Sequence, residues 1–176
     1  MKKISLLLVL TLCALSSSAF AQHHLDGEHN RKFRAALSIL HTNIPTDTPM
    51  GSDVLILPTI GIDMEYWINR HWGIGFHNDI ELETFEVRTV EGEFVEREFP
   101  LVVTLDALWM PENHWVVVAG PGFEIAPHET YELFRLGLEY EVELGNHVDV
   151  SPNLIYDIRR NAFDTFSYGI GIGYRF

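Results

Sequence analysis

Cysteine is almost missing from these 176 residues: the single one, Cys13, lies in the opening apolar stretch. Beyond it there is no thiol, which excludes disulfides, cysteine-bound zinc and a cysteine nucleophile. Basic residues are scarce as well. Twelve Lys and Arg stand against 25 Asp and Glu, for a formal charge of −13. A chain this acidic repels phosphate backbones, so nucleic acid is a poor partner. After the opening segment no apolar run approaches the ~20 residues that a membrane-spanning helix needs. Disorder is excluded from the other direction, because 47% of the residues are apolar, and a chain that rich in apolar surface collapses around it.

What is present begins with an address. Lys2 and Lys3 form a charged start, Ile4 to Leu15 an apolar stretch, and Ala19-Phe20-Ala21 puts small residues where a signal peptidase reads them. The expectation is a signal peptide over residues 1–21, cleaved before Gln22. Cys13 also follows an apolar run, as a lipidated cysteine does, but Leu12 is bulky where a small residue is wanted. Residues 22–30 form a polar tail. In it His23, His24 and His29, with Asp26 and Glu28, are candidates for weak zinc or copper binding; the plainer reading is a solvated lead-in. Residues 31–176 are the right length for one domain.

From Arg31 onward apolar and polar residues alternate in eight segments of about a dozen residues. Successive side chains of a strand point to opposite faces, so alternation means two chemically different faces. In the second segment Ile60, Ile62, Met64 and Tyr66 oppose Gly61, Asp63 and Glu65. In the last, Phe166, Tyr168, Ile170, Ile172, Tyr174 and Phe176 oppose Ser167, Gly169, Gly171, Gly173 and Arg175. The breaks alternate in length. Asn69-Arg70, Pro111-Glu112-Asn113 and Gly145-Asn146 are short; the joins at 41–53, 83–98, 126–130 and 159–164 are generally longer. The longest is itself alternating and reads as a hairpin extending beyond its flanking strands. The fold class expected is all-β: an eight-stranded antiparallel up-and-down barrel that crosses a membrane.

Alternation does not say which face points in; volume does. The apolar face is too bulky for an eight-stranded barrel, whose interior barely holds its own side chains. Nine of the 13 glycines lie on the opposite face, where they leave room for charged groups and would only weaken a solvent-exposed strand. The apolar face therefore points outward, toward lipid. Tyr66, Trp72, Trp109, Trp115, Tyr140, Tyr174 and Phe176 lie near the short turns, and Phe99, Tyr131, Phe134, Tyr156 and Phe166 toward the long loops. That distribution matches two aromatic girdles at the headgroup levels.

The ending Tyr168, Ile170, Ile172, Tyr174, Phe176 resembles the terminal-strand signal of Gram-negative outer-membrane proteins. With the leader and eight strands, the chain is similar to small barrels of the OmpA-transmembrane and OmpX type. The resemblance implies insertion by the barrel assembly machinery, contact with outer-membrane lipid and lipopolysaccharide, and a monomer. It does not settle the function, because fold and function are separable.

The inward face offers the chemistry. Asp63, Glu65, His77, Asp79, Glu81, Arg135, Glu139, Asp157, Arg159 and Arg175 are expected to form a charged network in the lumen, joined by Arg34, His71 and His147. The bland reading is a plug of paired charges and water, with no cofactor. A sharper one is a divalent cation, calcium or magnesium, held by the surplus of carboxylates. An enzyme acting on lipid A acyl chains is the alternative. Against it, His147 and Ser151 lie about 13 Å apart along one strand, and no His-x-Ser tripeptide occurs. A lipocalin-like carrier of an apolar ligand is a third reading.

Overall fold

A computed structural model describes residues 31–48, 51–88, 92, 94–112, 114–127, 129–145 and 147–176. The leader, its cleavage site and His23, His24 and His29 lie outside the described residues. Among the described residues eleven strands follow one another: β1 (Phe33–Thr48), β2 (Gly51–Trp67), β3 (Trp72–Glu81), β4 (Thr84–Arg88), β5 (Phe94–Glu98), β6 (Leu101–Trp109), β7 (Trp115–Ile125), β8 (Thr130–Tyr140), β9 (Val142–Glu143), β10 (Val148–Arg159) and β11 (Thr165–Arg175). Among these, β1, β2, β3, β6, β7, β8, β10 and β11 pair antiparallel in that order, and β11 returns to β1. The result is a closed eight-stranded barrel. Its seam runs from Arg34↔Arg175 to Asn43↔Phe166. Beyond it, Phe33 and Phe176 exchange backbone hydrogen bonds of 3.3 and 2.9 Å. The short β9 continues the β8 edge against β10, and β4 with β5 forms a separate two-stranded sheet.

Side chains obey the alternation. Leu37, Ile39, Ile62, Met64, Ile74, Leu105, Ile170 and Ile172 are exposed on the outer surface, whereas Arg34, Glu65, His77, Arg135 and Asp157 are buried within. The interior is layered. Trp67, Leu108, Val116 and Val118, with Met110, form an apolar cluster at the short-turn end. Ile44, Leu57, Phe85, Val87, Tyr131 and Phe163 form another at the long-loop end. The charged groups occupy the space between.

Three differences from the sequence reading have physical causes. The expected loop over 41–53 is largely ladder: β1 and β2 stay paired out to Thr48↔Gly51. There the outward row of β1 turns polar at His41 and Asn43, while the inward rows turn apolar with Ile44 on β1 and Leu57 on β2, both fully buried. β1 continues because its apolar contact has moved from the outside to the inside. Tyr131, expected in the outer girdle, belongs to that inner cluster. His71 and His147, expected in the lumen, are exposed at the turns. They lie beyond the last ladder pairs, where strand parity no longer governs direction. There each ring nitrogen meets a backbone carbonyl, Met110 for His71 and Arg175 for His147, both at 2.9 Å.

The hairpin β4–β5 sits on β3 and β6 through a fault in the ladder. Below it, the even-numbered residues of β6 face inward (Val102, Thr104, Asp106, Leu108). Above it, Arg97 faces inward while Glu96 and Glu98 face out. The reversal occurs at Phe99, whose φ is 43°, a left-handed conformation that a bulky aromatic residue rarely adopts.

Candidate functional site: the barrel interior

Three groups of ion pairs stack along the interior. Nearest the short turns, Arg34 projects from β1 and binds Asp149 with Nη2 (2.7 Å) and Nε (3.0 Å to Oδ2), Ser151 with Nη2 (3.0 Å), and Glu65 with Nη1. Glu139 and Glu141 lie 3.7 and 3.6 Å from the same guanidinium. Glu65 also accepts the Trp67 indole N–H at 2.9 Å. Arg175 pairs with Glu141 and rests 5.7 Å over the Trp67 ring.

In the middle, Arg135 forks onto Asp157 (2.8 and 2.9 Å) and reaches Asp79 at 2.7 Å. His77 Nδ1 lies 2.6 Å from Asp106 Oδ2, and Asp63 accepts from Ser38 at 3.1 Å. Nearest the long loops, Arg159 pairs with Glu124, donates to Thr165 at 2.8 Å and approaches Glu81 to 3.8 Å. All ten lumen candidates named from the sequence are thus inward or partly inward, and they divide among three levels instead of meeting at one point.

Glycine makes the packing possible. A Cβ on Gly61 would lie 2.5 Å from Asp79 Oδ1. One on Gly75 would lie 2.6 Å from the His77 ring, and one on Gly173 2.4 Å from Arg34 Nε. A charged side chain lies across each glycine, using space that any larger residue would take.

A cavity of about 10 Å³ lies at the centre, between Asp63, His77, Asp79, Arg135, Glu139 and Asn153; that is room for roughly one water molecule. His77 Nε2 and Asn153 Oδ1 are buried without a hydrogen-bond partner. Among the described residues no group of three or more His, Asp or Glu is arranged to hold a metal ion. The described histidine rings with a hydrogen bond meet carbonyls or a carboxylate, never a hydroxyl. The apolar face that a lipocalin turns inward points outward here.

Arg97 is the buried charge that the alternation did not reveal. It is fully buried and held by Glu124, yet its segment reads as an acidic loop. Counting in twos back from Leu101 puts Arg97 outside, so only the fault at Phe99 brings it in.

No family model matches the sequence, and no curated protein matches it. Solved structures do. Ail, the attachment invasion locus protein of Yersinia pestis, in complex with the heparin analogue sucrose octasulfate, superposes with a TM-score of 0.58. That match covers 83% of this chain and 99% of Ail at 12% identity. The chain has the fold of the small outer-membrane β-barrels. OprG from Pseudomonas aeruginosa (TM-score 0.56, 14% identity, 84% of this chain and 97% of that one) and Neisserial surface protein A (0.53, 10%, 82% and 97%) share it too. At these identities the common property is the path of the backbone, and the interior of this barrel has to be understood from its own residues.

Proposed function

We propose that this chain is an integral outer-membrane protein with a structural or interfacial, non-catalytic role, its lumen plugged by its own paired charges. In this reading residues 1–21 direct export, and Tyr168, Ile170, Ile172, Tyr174 and Phe176 serve the barrel assembly machinery. The protein then stands as a monomer among outer-membrane lipid and lipopolysaccharide.

The observation that carries the reading is the outer belt. On β2 the row Ile56, Ile60, Ile62, Met64 and Tyr66 is exposed throughout. From Ile56 to Tyr66 a strand advances roughly 33 Å, or about 25 Å along the barrel axis at the usual tilt. That height matches the apolar band of an outer-membrane barrel. Trp72, Trp109, Trp115, Tyr174 and Phe176 edge it at one end, Tyr156, Phe166 and Phe99 at the other, all exposed. Water does not tolerate a continuous apolar surface of this extent.

The ligand named for Ail is polysulfated. This chain's outer end exposes Glu83, Glu86, Glu96, Glu98, Glu129 and Glu132 against Arg88 and Arg160, so a polyanion is repelled there. Lipopolysaccharide phosphates would be met through bridging divalent ions.

Envelope fractionation followed by electrophoresis with and without boiling tests the reading. The expected result is an outer-membrane band that migrates faster unboiled. A folded β protein recovered from the soluble fraction would overturn it. Overexpression is expected to leave the lipid A mass spectrum unchanged; a new acylation state would replace the non-catalytic role with an enzymatic one.

A further inference from the structure

The outer mouth contains a cation pocket that the chain fills with one of its own side chains. Arg97 reaches down from β5, with Nε and Nη2 2.8 and 2.6 Å from Glu124 Oε1. Its Nη1 donates to the Glu129 carbonyl at 2.9 Å, and its guanidinium carbon lies 4.6 Å over the Tyr131 ring. A carboxylate, a carbonyl and an aromatic face are the groups by which proteins recognise guanidinium and ammonium ions. All three belong to the barrel: Glu124 to β7, Glu129 to the loop after it, Tyr131 to β8. Only the cation arrives on the hairpin. Arg159 holds the other oxygen of Glu124 and packs 4.8 Å over Phe163, so Glu124 has a second, independent anchor.

The hairpin is attached as a removable part. Its ladder, Thr84↔Glu98 to Arg88↔Phe94, pairs with nothing else, while the barrel ladder ends at Ile80↔Leu101. The last backbone bonds at its base are Leu82 N–H to Pro58 O (3.0 Å) and Glu81 N–H to Pro100 O (3.1 Å). Phe99, with its left-handed φ, sits at the junction, where a backbone change would relieve strain. Glu86 and Glu96 face each other across the hairpin, an unfavourable pairing. What holds the hairpin down is the insertion of Phe85, Val87 and Arg97 into the mouth.

We propose that the mouth is a binding site for a guanidinium or primary ammonium group presented from the outer side, with Arg97 as its internal occupant on a hinged lid. The exposed glutamates around it raise the local concentration of cations. Ligand and Arg97 compete for Glu124, and binding of one releases the other.

The test uses the full chain, folded in detergent, with Cys13→Ser. Val87→Cys places a thiol on the lid's buried underside, and Leu108→Cys places one in the opposite cluster as a control. Saturating ethylguanidinium chloride is expected to speed alkylation at position 87 at least 5-fold over potassium chloride of equal ionic strength, and to leave position 108 unchanged. Arg97→Ala is expected to speed position 87 at least 10-fold. Calorimetry of ethylguanidinium against the Arg97→Ala chain should show saturable binding, weakened at least 10-fold by adding Glu124→Gln. Absence of saturable binding overturns the site. Unaltered labelling at position 87 in Arg97→Ala, or equal acceleration at both positions, overturns the lid. Should Arg97→Ala fail to fold, Phe85→Ala loosens the lid with the cation in place, and labelling at position 87 no faster than in its parent is then the overturning result.

Discussion

Arg34 ties β1 to β2 through Glu65 and to β10 through Asp149 and Ser151, and its side chain is almost completely enclosed. Taking away one member of such a group leaves the others charged and uncompensated, which costs far more than the pair contributes. Arg34→Ala is therefore expected to destabilise the folded barrel by about 3–5 kcal/mol, read as a lower urea midpoint in micelles. Arg34→Lys should fall between, since a point charge cannot fork across two partners. Arg160 and Glu132 also pair, at 2.9 Å, but their side chains are 73% and 62% exposed, and Arg160→Ala should leave the midpoint unmoved. A similar contrast separates two glycines. A Cβ on Gly120 would meet the Leu105 carbonyl oxygen at 2.2 Å, whereas one on Gly145 meets nothing within 4 Å. Gly120→Ala is expected to cost about 1–3 kcal/mol by overpacking and Gly145→Ala nothing measurable by the same midpoint. The facing of Arg34, Glu65, Arg135 and Asp157 was legible in the sequence because each is a paired position of the ladder, where parity is strict. Their partners were not, because register decides who meets whom and alternation carries no register. Arg97 was hidden for a different reason: a single backbone inversion at Phe99 reversed the count.

At the scale of elements, strand ends were harder to read than strand centres. The sequence reading stopped β1 near Ile39, where the outward apolar row ends; the ladder goes on because Leu40 and Ile44 are buried on the inward face, Ile44 within the cluster at the mouth. A segment that changes the side on which it is apolar loses the pattern that marks it as a strand. The β4–β5 hairpin was legible from its own alternation, yet its exposed face puts Glu86 opposite Glu96. Exchanging one sign there should help. Glu96→Lys is expected to stabilise the hairpin by about 0.2–1 kcal/mol, seen as slower amide hydrogen exchange in β4 and β5 with the barrel strands unaltered. Faster exchange in the hairpin would mean that Glu96 has a favourable partner of its own.

The barrel of residues 31–176 has a charged interior with an apolar cluster at each end. Trp67, Leu108, Val116 and Val118 shut the short-turn end, and the cluster containing Phe85, Val87 and Phe163 shuts the other. Between them, ten buried carboxylates face four buried arginines and a half-covered Arg175 among the described residues. Eight strands leave little bore once side chains fill it, and two dry caps in series hinder ions further. The caps are not the whole barrier, because the level of Arg135, Asp79 and Asp157 fills the bore between them. In planar bilayers the native chain is expected to show no stepwise conductance, and so are Arg97→Ala, Trp67→Ala and the two combined. Adding Arg135→Ala to that pair removes the tie across the middle, and any conductance that then appears is expected to favour cations, because the surplus charge lining the path is negative. Stepwise conductance from the double variant would mean that the caps, and not the paired charges, close the lumen.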